Sequence, residues 1–190
     1  MTIGVGVEGP SDRIFWHKVL HKHFRNLRFD IRSMKGRGSL IRDAQRLLET
    51  FRNAHYTAGF LLIDRDQNPC ITSVIQEFDA AIQTEARKLP GERFLNICVA
   101  VRELEAWYIA DETAVANMFP ASAYTAPVET GTLSAVQILE ELWRAQYGRS
   151  AFNKLEFARI VAPHFSPKVA AAHSASFNYF WERMSKRVSA

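Results

Sequence analysis

The sequence is poor in cysteine and has no long apolar run, and each lack excludes a class of protein. Cys70 and Cys98 are its two cysteines, too few and too far apart for a disulfide framework or a cysteine-rich zinc site. No stretch reaches the roughly 18 consecutive apolar residues that a membrane span needs, and no hydrophobic run near Met1 resembles a secretion signal. The expectation is a cytoplasmic protein in a reducing compartment, with no membrane partner. Internal repeats and low-complexity tracts are also missing, which sets aside solenoids and disordered tails. What is left is a chain of 190 residues, 47% hydrophobic: one domain, with room for a sizeable appendage.

Charge is distributed unevenly. Residues 1–60 hold 11 Lys/Arg against 5 Asp/Glu, together with four of the six histidines, whereas the rest of the chain is slightly acidic. A basic first third beside a slightly acidic remainder suggests a surface that meets phosphate.

The opening TIGVGVEGPSD contains Gly4-x-Gly6-x-x-Gly9, the spelling of a dinucleotide-binding loop. That loop requires a strand before its first glycine, and three residues are too few to form one. Residues 2–8 are themselves the better strand, with Ile3, Val5 and Val7 alternating; a turn follows at Glu8-Gly9-Pro10, and Ser11 is the expected helix N-cap. Further strand-like runs lie at 28–33, 58–64 and 94–101, and helical patterns at 11–25, 39–54 and 71–88. Strands alternating with helices predict an α/β fold: a mostly parallel sheet of about four strands flanked by helices. The runs FLLI and ICVAV are apolar throughout, as in strands covered on both faces. RELEAWYIADETAVANMF reads as one helix. The expected division is an α/β domain over 1–116, a linker over 117–131 and a helical extension over 132–190, packed on the core through its regularly spaced aromatic residues.

In an open parallel sheet, ligands gather beyond the carboxyl ends of the strands, and three of the four expected ends carry acid. The first offers Glu8, with Asp12 one helical turn later; the third ends LLIDRD, giving Asp64 and Asp66; the fourth runs into Glu103 and Glu105. Two carboxylates about 5 Å apart repel by roughly 3 kcal/mol at an effective dielectric near 20. Several in one cleft must therefore be protonated or neutralised. Oxygen donors without cysteine or histidine suit Mg²⁺ or Mn²⁺, ions that act on phosphates and activate water.

VEGPSD and LIDRD together resemble the two signatures of the Toprim domain, a Glu on one strand and a paired Asp-x-Asp on a later one. VRELEAWYIAD and SFNYFWERM resemble a Toprim-like family of small bacterial proteins, related to the overcoming-lysogenization-defect (OLD) nucleases. The resemblance covers about residues 3–111 and, more loosely, 150–184. It implies that Glu8, Asp64 and Asp66 hold Mg²⁺ or Mn²⁺, that Asp12 serves a second ion, and that Glu105, two residues before Trp107, ranks above Glu103, which instead pairs with Arg102 or Arg65. It implies phosphodiester hydrolysis of nucleic acid, DNA ahead of RNA, in phage defence or DNA processing with a partner ATPase. The large extra domains of topoisomerases and the zinc module of primases are missing, which argues against strand passage and primer synthesis. Two alternatives stay open: a non-catalytic module of an ATPase complex, and a small ribonuclease.

Supporting residues are weighed separately. Lys35 and Arg37, interleaved with Gly36 and Gly38 after the second strand, are candidates for holding phosphate, as is Arg65, and Ser39 is the expected cap of the next helix. Lys154 is a candidate to stabilise a phosphorane or protonate a leaving oxygen. His17 and His21 lie four apart with His23 nearby, a spacing that can bind a transition metal. With no third ligand evident and lysines all around, a basic face is the better reading.

Overall fold

A computed structural model describes residues 1–82, 88–89, 92–127, 134–148 and 151–188. Four strands, β1 (Thr2–Val7), β2 (Arg28–Ser33), β3 (Ala58–Asp64) and β6 (Leu95–Ala100), form one sheet in the order β2-β1-β3-β6, with every pairing parallel. Between β3 and β6, β4 (Lys88–Leu89) and β5 (Glu92–Arg93) make a separate antiparallel pair. Parallel neighbours need crossovers, and these are helices: α1 (Pro10–His23), α2 (Arg37–Asn53) and α3 (Ile71–Ala81). The path from β1 to β2 runs one way across the sheet, and the paths from β2 to β3 and β3 to β6 run the other way. Crossovers of one hand therefore put α1 on one face and α2 with α3 on the opposite face. Chain direction switches between β1 and β3, and the crevice beyond their carboxyl ends is where such folds bind ligands.

The two faces have different cores. On one, Ile3, Val5 and Val7 of β1 and Phe60 and Leu62 of β3 meet α1 and the C-terminal helices. These are α4 (Glu105–Ile109), α5 (Glu112–Met118), α6 (Ala135–Tyr147), α7 (Lys154–Val161), α8 (Pro167–His173) and α9 (Ala175–Val188). Aromatic rings fill this layer: Trp107 stacks on Phe180 at 5.3 Å, Phe15 on Tyr108 at 3.8 Å, and Trp16 meets Phe180 edge-on at 5.0 Å. On the other face, Leu61 and Ile63 of β3 and Leu95, Ile97 and Val99 of β6 pack with Leu40, Leu47, Leu48 and Phe51 of α2 and Phe78 of α3. The period-2 alternation of each strand assigns its side chains to the two cores.

The opening glycines belong to this packing. A Cβ on Gly4 would sit 2.5 Å from the Phe51 ring, and one on Gly6 2.8 Å from a Leu47 methyl. Both glycines let α2 lie close against β1, so the Gly-x-Gly spelling serves helix–sheet contact.

Several local expectations are corrected. Gly9, not Ser11, is the cap of α1: Pro10 occupies the first helical position, where its missing N–H costs nothing, and Asp12 Oδ2 accepts the Gly9 N–H at 2.9 Å. Gly36, not Ser39, caps α2, with φ at 84°, a left-handed conformation that suits glycine. The helix expected over 71–88 ends at Ala81, and Lys88 lies in β4; residues 83–87 are outside the described residues. The single helix expected over 102–119 is broken in two. Asp111 caps α5 by accepting the Ala114 N–H at 3.1 Å, and its other oxygen takes the Ser166 N–H at 2.6 Å. This buried carboxylate thus ties α5 to the start of α8. Of the expected linker over 117–131, residues 128–131 lie outside the described residues, as do 132 and 133 of the expected extension. Among the described residues, no helix is long and apolar enough to cross a membrane.

Candidate metal and phosphate cleft

The cleft is built at the switch between β1 and β3. Glu8 is the first residue past β1, and its Oε1 accepts the backbone N–H of Asp64, the last residue of β3, at 2.9 Å. The Glu8 carbonyl in turn accepts the Gly36 N–H at 3.0 Å, drawing the loop after β2 onto the same rim. Asp64 has the parity of Phe60 and Leu62 and so faces the aromatic side of the sheet, where its Oδ1 accepts the Leu104 N–H at 2.6 Å as α4 begins. From that side α1 contributes Asp12 and α4 contributes Glu105, which are 6% and 4% exposed. Both charges are therefore held out of water. Tyr108, one helical step beyond Trp107, donates its hydroxyl proton to Asp12 Oδ1 at 2.8 Å. Lys154, at the start of α7, places its ammonium 2.8 Å from Glu105 Oε1. Glu8, Asp12, Asp64, Glu105 and Lys154 line one cleft of about 400 Å³, with Lys35 and Gly36 across from them.

Electrostatics there are frustrated. Burial, followed by the charges of Asp66 and Asp12, pushes the Glu8 carboxyl up to about 7, against the pull of the Asp64 N–H. Burial and the Glu105 charge raise Asp12 to about 6, although Tyr108 and Gly9 hold its anion. Burial, then Glu8, Glu105 and Asp12, lift Asp64 well above the usual carboxylate range. Burial disfavours the charged form of Lys154, but Glu105, with Glu103 and Asp64, more than offsets it and the net shift is upward. Two lysines against four acids in the lining leave an excess of negative potential, which a divalent ion would relieve. The donors are hard oxygens, with no imidazole or thiol in the lining. Among the described residues, no three or more Asp, Glu, His or Cys side chains stand as a ready-made ligand cage.

The remaining candidates fall around this centre. Asp66 lies on the outer lip, not in the lining: its backbone is left-handed with φ at 52°, its N–H donates to the Arg102 carbonyl at 2.7 Å, and its carboxylate is 3.9 Å from Arg37. Arg102 is also left-handed, with φ at 75°, so backbone strain gathers in the two loops beside the cleft. Arg37 is drawn into the scaffold. Its guanidinium donates to the carbonyls of Asp64 and Arg65 and to Glu77 Oε2 at 2.7 Å, bracing the end of β3 against α3. Arg65 is half-buried, and its Nε has no hydrogen-bond partner among the described residues. Glu103 Oε1 accepts the Val136 N–H at 3.1 Å, at the start of α6. The rings of His17 and His21 are 4.6 Å apart on the exposed side of α1.

Tyr108 does not stand out in the sequence as a site residue. A tyrosine in an apolar stretch reads as core, and nothing local shows that its hydroxyl reaches an acid 96 positions earlier. The Glu-x-x-Tyr spacing in ELEAWY, which puts both side chains on one helix face, is the one signal present.

Comparison with known proteins agrees with the architecture. The C-terminal region of the Burkholderia pseudomallei OLD protein is similar over 98% of both chains, with a TM-score of 0.54 and 17% sequence identity. At that identity the likeness concerns the fold, a Toprim-like α/β arrangement of parallel strands flanked by helices. None of the curated proteins matches the sequence. A family model does, over residues 7–185, and the chain belongs to that family, described as a domain of unknown function, DUF4276.

Proposed function

We propose that this chain is a Toprim-type, Mg²⁺- or Mn²⁺-dependent phosphodiesterase acting on nucleic acid, DNA ahead of RNA. One observation carries the reading: four carboxylates, Glu8 just past β1, Asp12 on α1, Asp64 on β3 and Glu105 on α4, line a single cleft at the switch point, where burial and neighbouring charges raise the proton affinity of Glu8, Asp12 and Asp64. The donor chemistry fits a hard divalent ion. The lack of a closed cage fits it as well, because Mg²⁺ binds through one or two carboxylates and keeps several waters. Such an ion supplies a water of lowered pKa and positive charge opposite a leaving oxygen.

The chain's own residues divide the remaining work. Glu8 and Asp64 hold the ion, their second oxygens fixed by backbone N–H groups. Asp12 is aimed by Tyr108 and by the Gly9 N–H, and it serves a second ion or orients a bound water. Glu105 keeps Lys154 at the cleft, where the ammonium meets the developing charge on a phosphoryl oxygen. Lys35 approaches a phosphate from the rim. Asp66 and Arg65 act from the lip. Purified protein with Mg²⁺ or Mn²⁺ should cleave plasmid or linear DNA, and Asp64→Asn should abolish that cleavage while keeping the fold; undiminished cleavage by the variant refutes the assignment.

The second reading is a non-catalytic module of an ATPase complex. Cleavage that appears only with the partner present identifies regulation of an active site. No cleavage and no ion binding under any condition identifies the module. RNA run beside DNA decides the substrate.

A further inference from the structure

Beside the acidic cleft runs a groove of opposite character. Between α1 and α7 lies a cavity of about 390 Å³ lined by Arg13, Ile14, His17, Lys18 and Arg159. None of these five is acidic, and Arg13, His17, Lys18 and Arg159 are all exposed. Lys18 Nζ donates to the Arg159 carbonyl at 2.8 Å, and Lys22 Nζ to the Pro163 carbonyl at 2.7 Å. The two helices therefore run in the same direction, with their first turns, Asp12 and Lys154, at the acidic cleft. Arg13 follows Asp12 directly and is braced by its Nε donating to the Ile31 carbonyl at 3.0 Å. Lys18 lies six residues along α1 from Asp12, about 9 Å at 1.5 Å per residue.

Helix capping explains part of this arrangement. The last carbonyls of α7 attract cations, which accounts for Lys18 and Lys22. It does not account for Arg159, whose side chain lines the cavity while its carbonyl is the acceptor, nor for Arg13 and His17 on the opposite wall. Each lysine ammonium has three donors, so a bond to a carbonyl leaves Lys18 able to contact phosphate as well.

We propose that the α1–α7 groove, through Arg13, His17, Lys18 and Arg159, is the track along which the phosphate backbone of a nucleic-acid strand reaches the acidic cleft. This rests on the nucleic-acid reading above and deepens it. The main phosphate contacts move from the loop after β2, where Arg37 is committed to the scaffold, to a helix pair. Repulsion between the strand and the four acids then helps to set its register: the basic groove holds the flanking phosphates, and the cleft accepts one phosphate where a cation neutralises it.

The test is fluorescence anisotropy of a labelled 20-nucleotide single strand with the whole protein in EDTA, where binding is read without cleavage. Arg159→Glu and His17→Glu, alone and combined, are compared with the milder Arg159→Gln and with Asp64→Asn; thermal melts check that each variant folds. The combined variant should bind at least tenfold more weakly, with the slope of log affinity against log salt falling by roughly 0.7 for each phosphate no longer neutralised. Asp64→Asn, which lowers the repulsion between the cleft and phosphate, should bind at least as tightly as the wild type. Wild-type affinity in every groove variant overturns the track, as does failure of the wild-type protein to bind the strand. Equal displacement of the strand by polyglutamate at matched charge also overturns it, because the groove would then read negative charge alone. Cleavage that depends on Asp64 while the groove variants bind normally leaves the phosphodiesterase standing without this track, so the two proposals fail separately.

Discussion

The two faces of the sheet are equally dry but unequally equipped. The α2/α3 face is mostly aliphatic, built from Leu40, Leu47, Leu48, Ile63 and Val74 around Phe51 and Phe78. Among the described residues it reaches the cleft through the rim loop and the Arg37 brace. The α1/α4/α7–α9 face is rich in aromatic rings, supplies Asp12, Glu105 and Lys154 to the cleft, and holds Tyr108 behind Asp12. Rings that interlock α1, α4 and α9 hold in place the two helices that carry Asp12 and Glu105. The difference teaches that one core mainly holds the sheet together, and the other also aims the site.

Mutations can break or sharpen this contrast, and the largest effect is expected at the acids. Asp64→Asn or Glu8→Gln should lower cleavage by roughly 10³-fold or more, the scale of losing a principal electrostatic group. Glu8→Gln should at the same time raise stability at pH 8 by about 1 kcal/mol, discounted for partial exposure, read as a higher melting temperature. Next come the cores. Trp107→Ala should cost about 3–5 kcal/mol and Leu48→Ala about 2–5 kcal/mol. Only the former should also depress the activity of the molecules that remain folded, measured at a temperature where both variants are native. Equal activity per folded molecule would erase the distinction between the faces. Tyr108→Phe leaves the ring packed and removes one hydrogen bond to Asp12; it should reduce activity about 10–100-fold with little change in melting temperature. Gly4→Ala, on the aliphatic side, should destabilise by about 1–3 kcal/mol through overpacking against Phe51 and leave the chemistry of folded molecules untouched.

The pH dependence follows from the same acids. Glu8 and Asp12 have folded-state values of about 7 and about 6, above their ordinary 4.5 and 3.8. The folded protein therefore binds these protons more tightly than the unfolded chain does. Their contribution is fully present below about pH 4 and is lost as pH rises through 6 and 7. Without divalent ions, stability should decline across that window in denaturant titrations. Saturating Mg²⁺ or Mn²⁺ should restore it most strongly near pH 8, where the carboxylates are ionised.

Much of the fold could be read in the chain because its signals are local. Apolar runs such as FLLI mark buried parallel strands, and the spacing of Leu40, Ala44, Leu47 and Phe51 marks the inner face of α2. That Glu8 and Asp64 lie beside each other follows from two facts: each ends a strand, and those strands are neighbours at the switch. Features decided by distant partners were not legible. Asp66 shares a motif with Asp64, yet a left-handed turn sends it to the lip. Asp12 and Glu105 move to the interior because α1 and α4 pack against the same aromatic layer. The helix break at Asp111 depends on the Ser166 N–H, 55 residues away, and the Gly4 and Gly6 contacts depend on α2, which no spacing in TIGVGVEG announces.

The most direct test is anomalous scattering from crystals of the protein soaked in Mn²⁺ near pH 8. The account predicts a strong peak in the cleft within coordination distance of Glu8 and Asp64, with Asp12 or Glu105 on its far side, and loss of that peak in Asp64→Asn. A cleft without a peak at saturating Mn²⁺, in crystals whose density is otherwise clear, would contradict it.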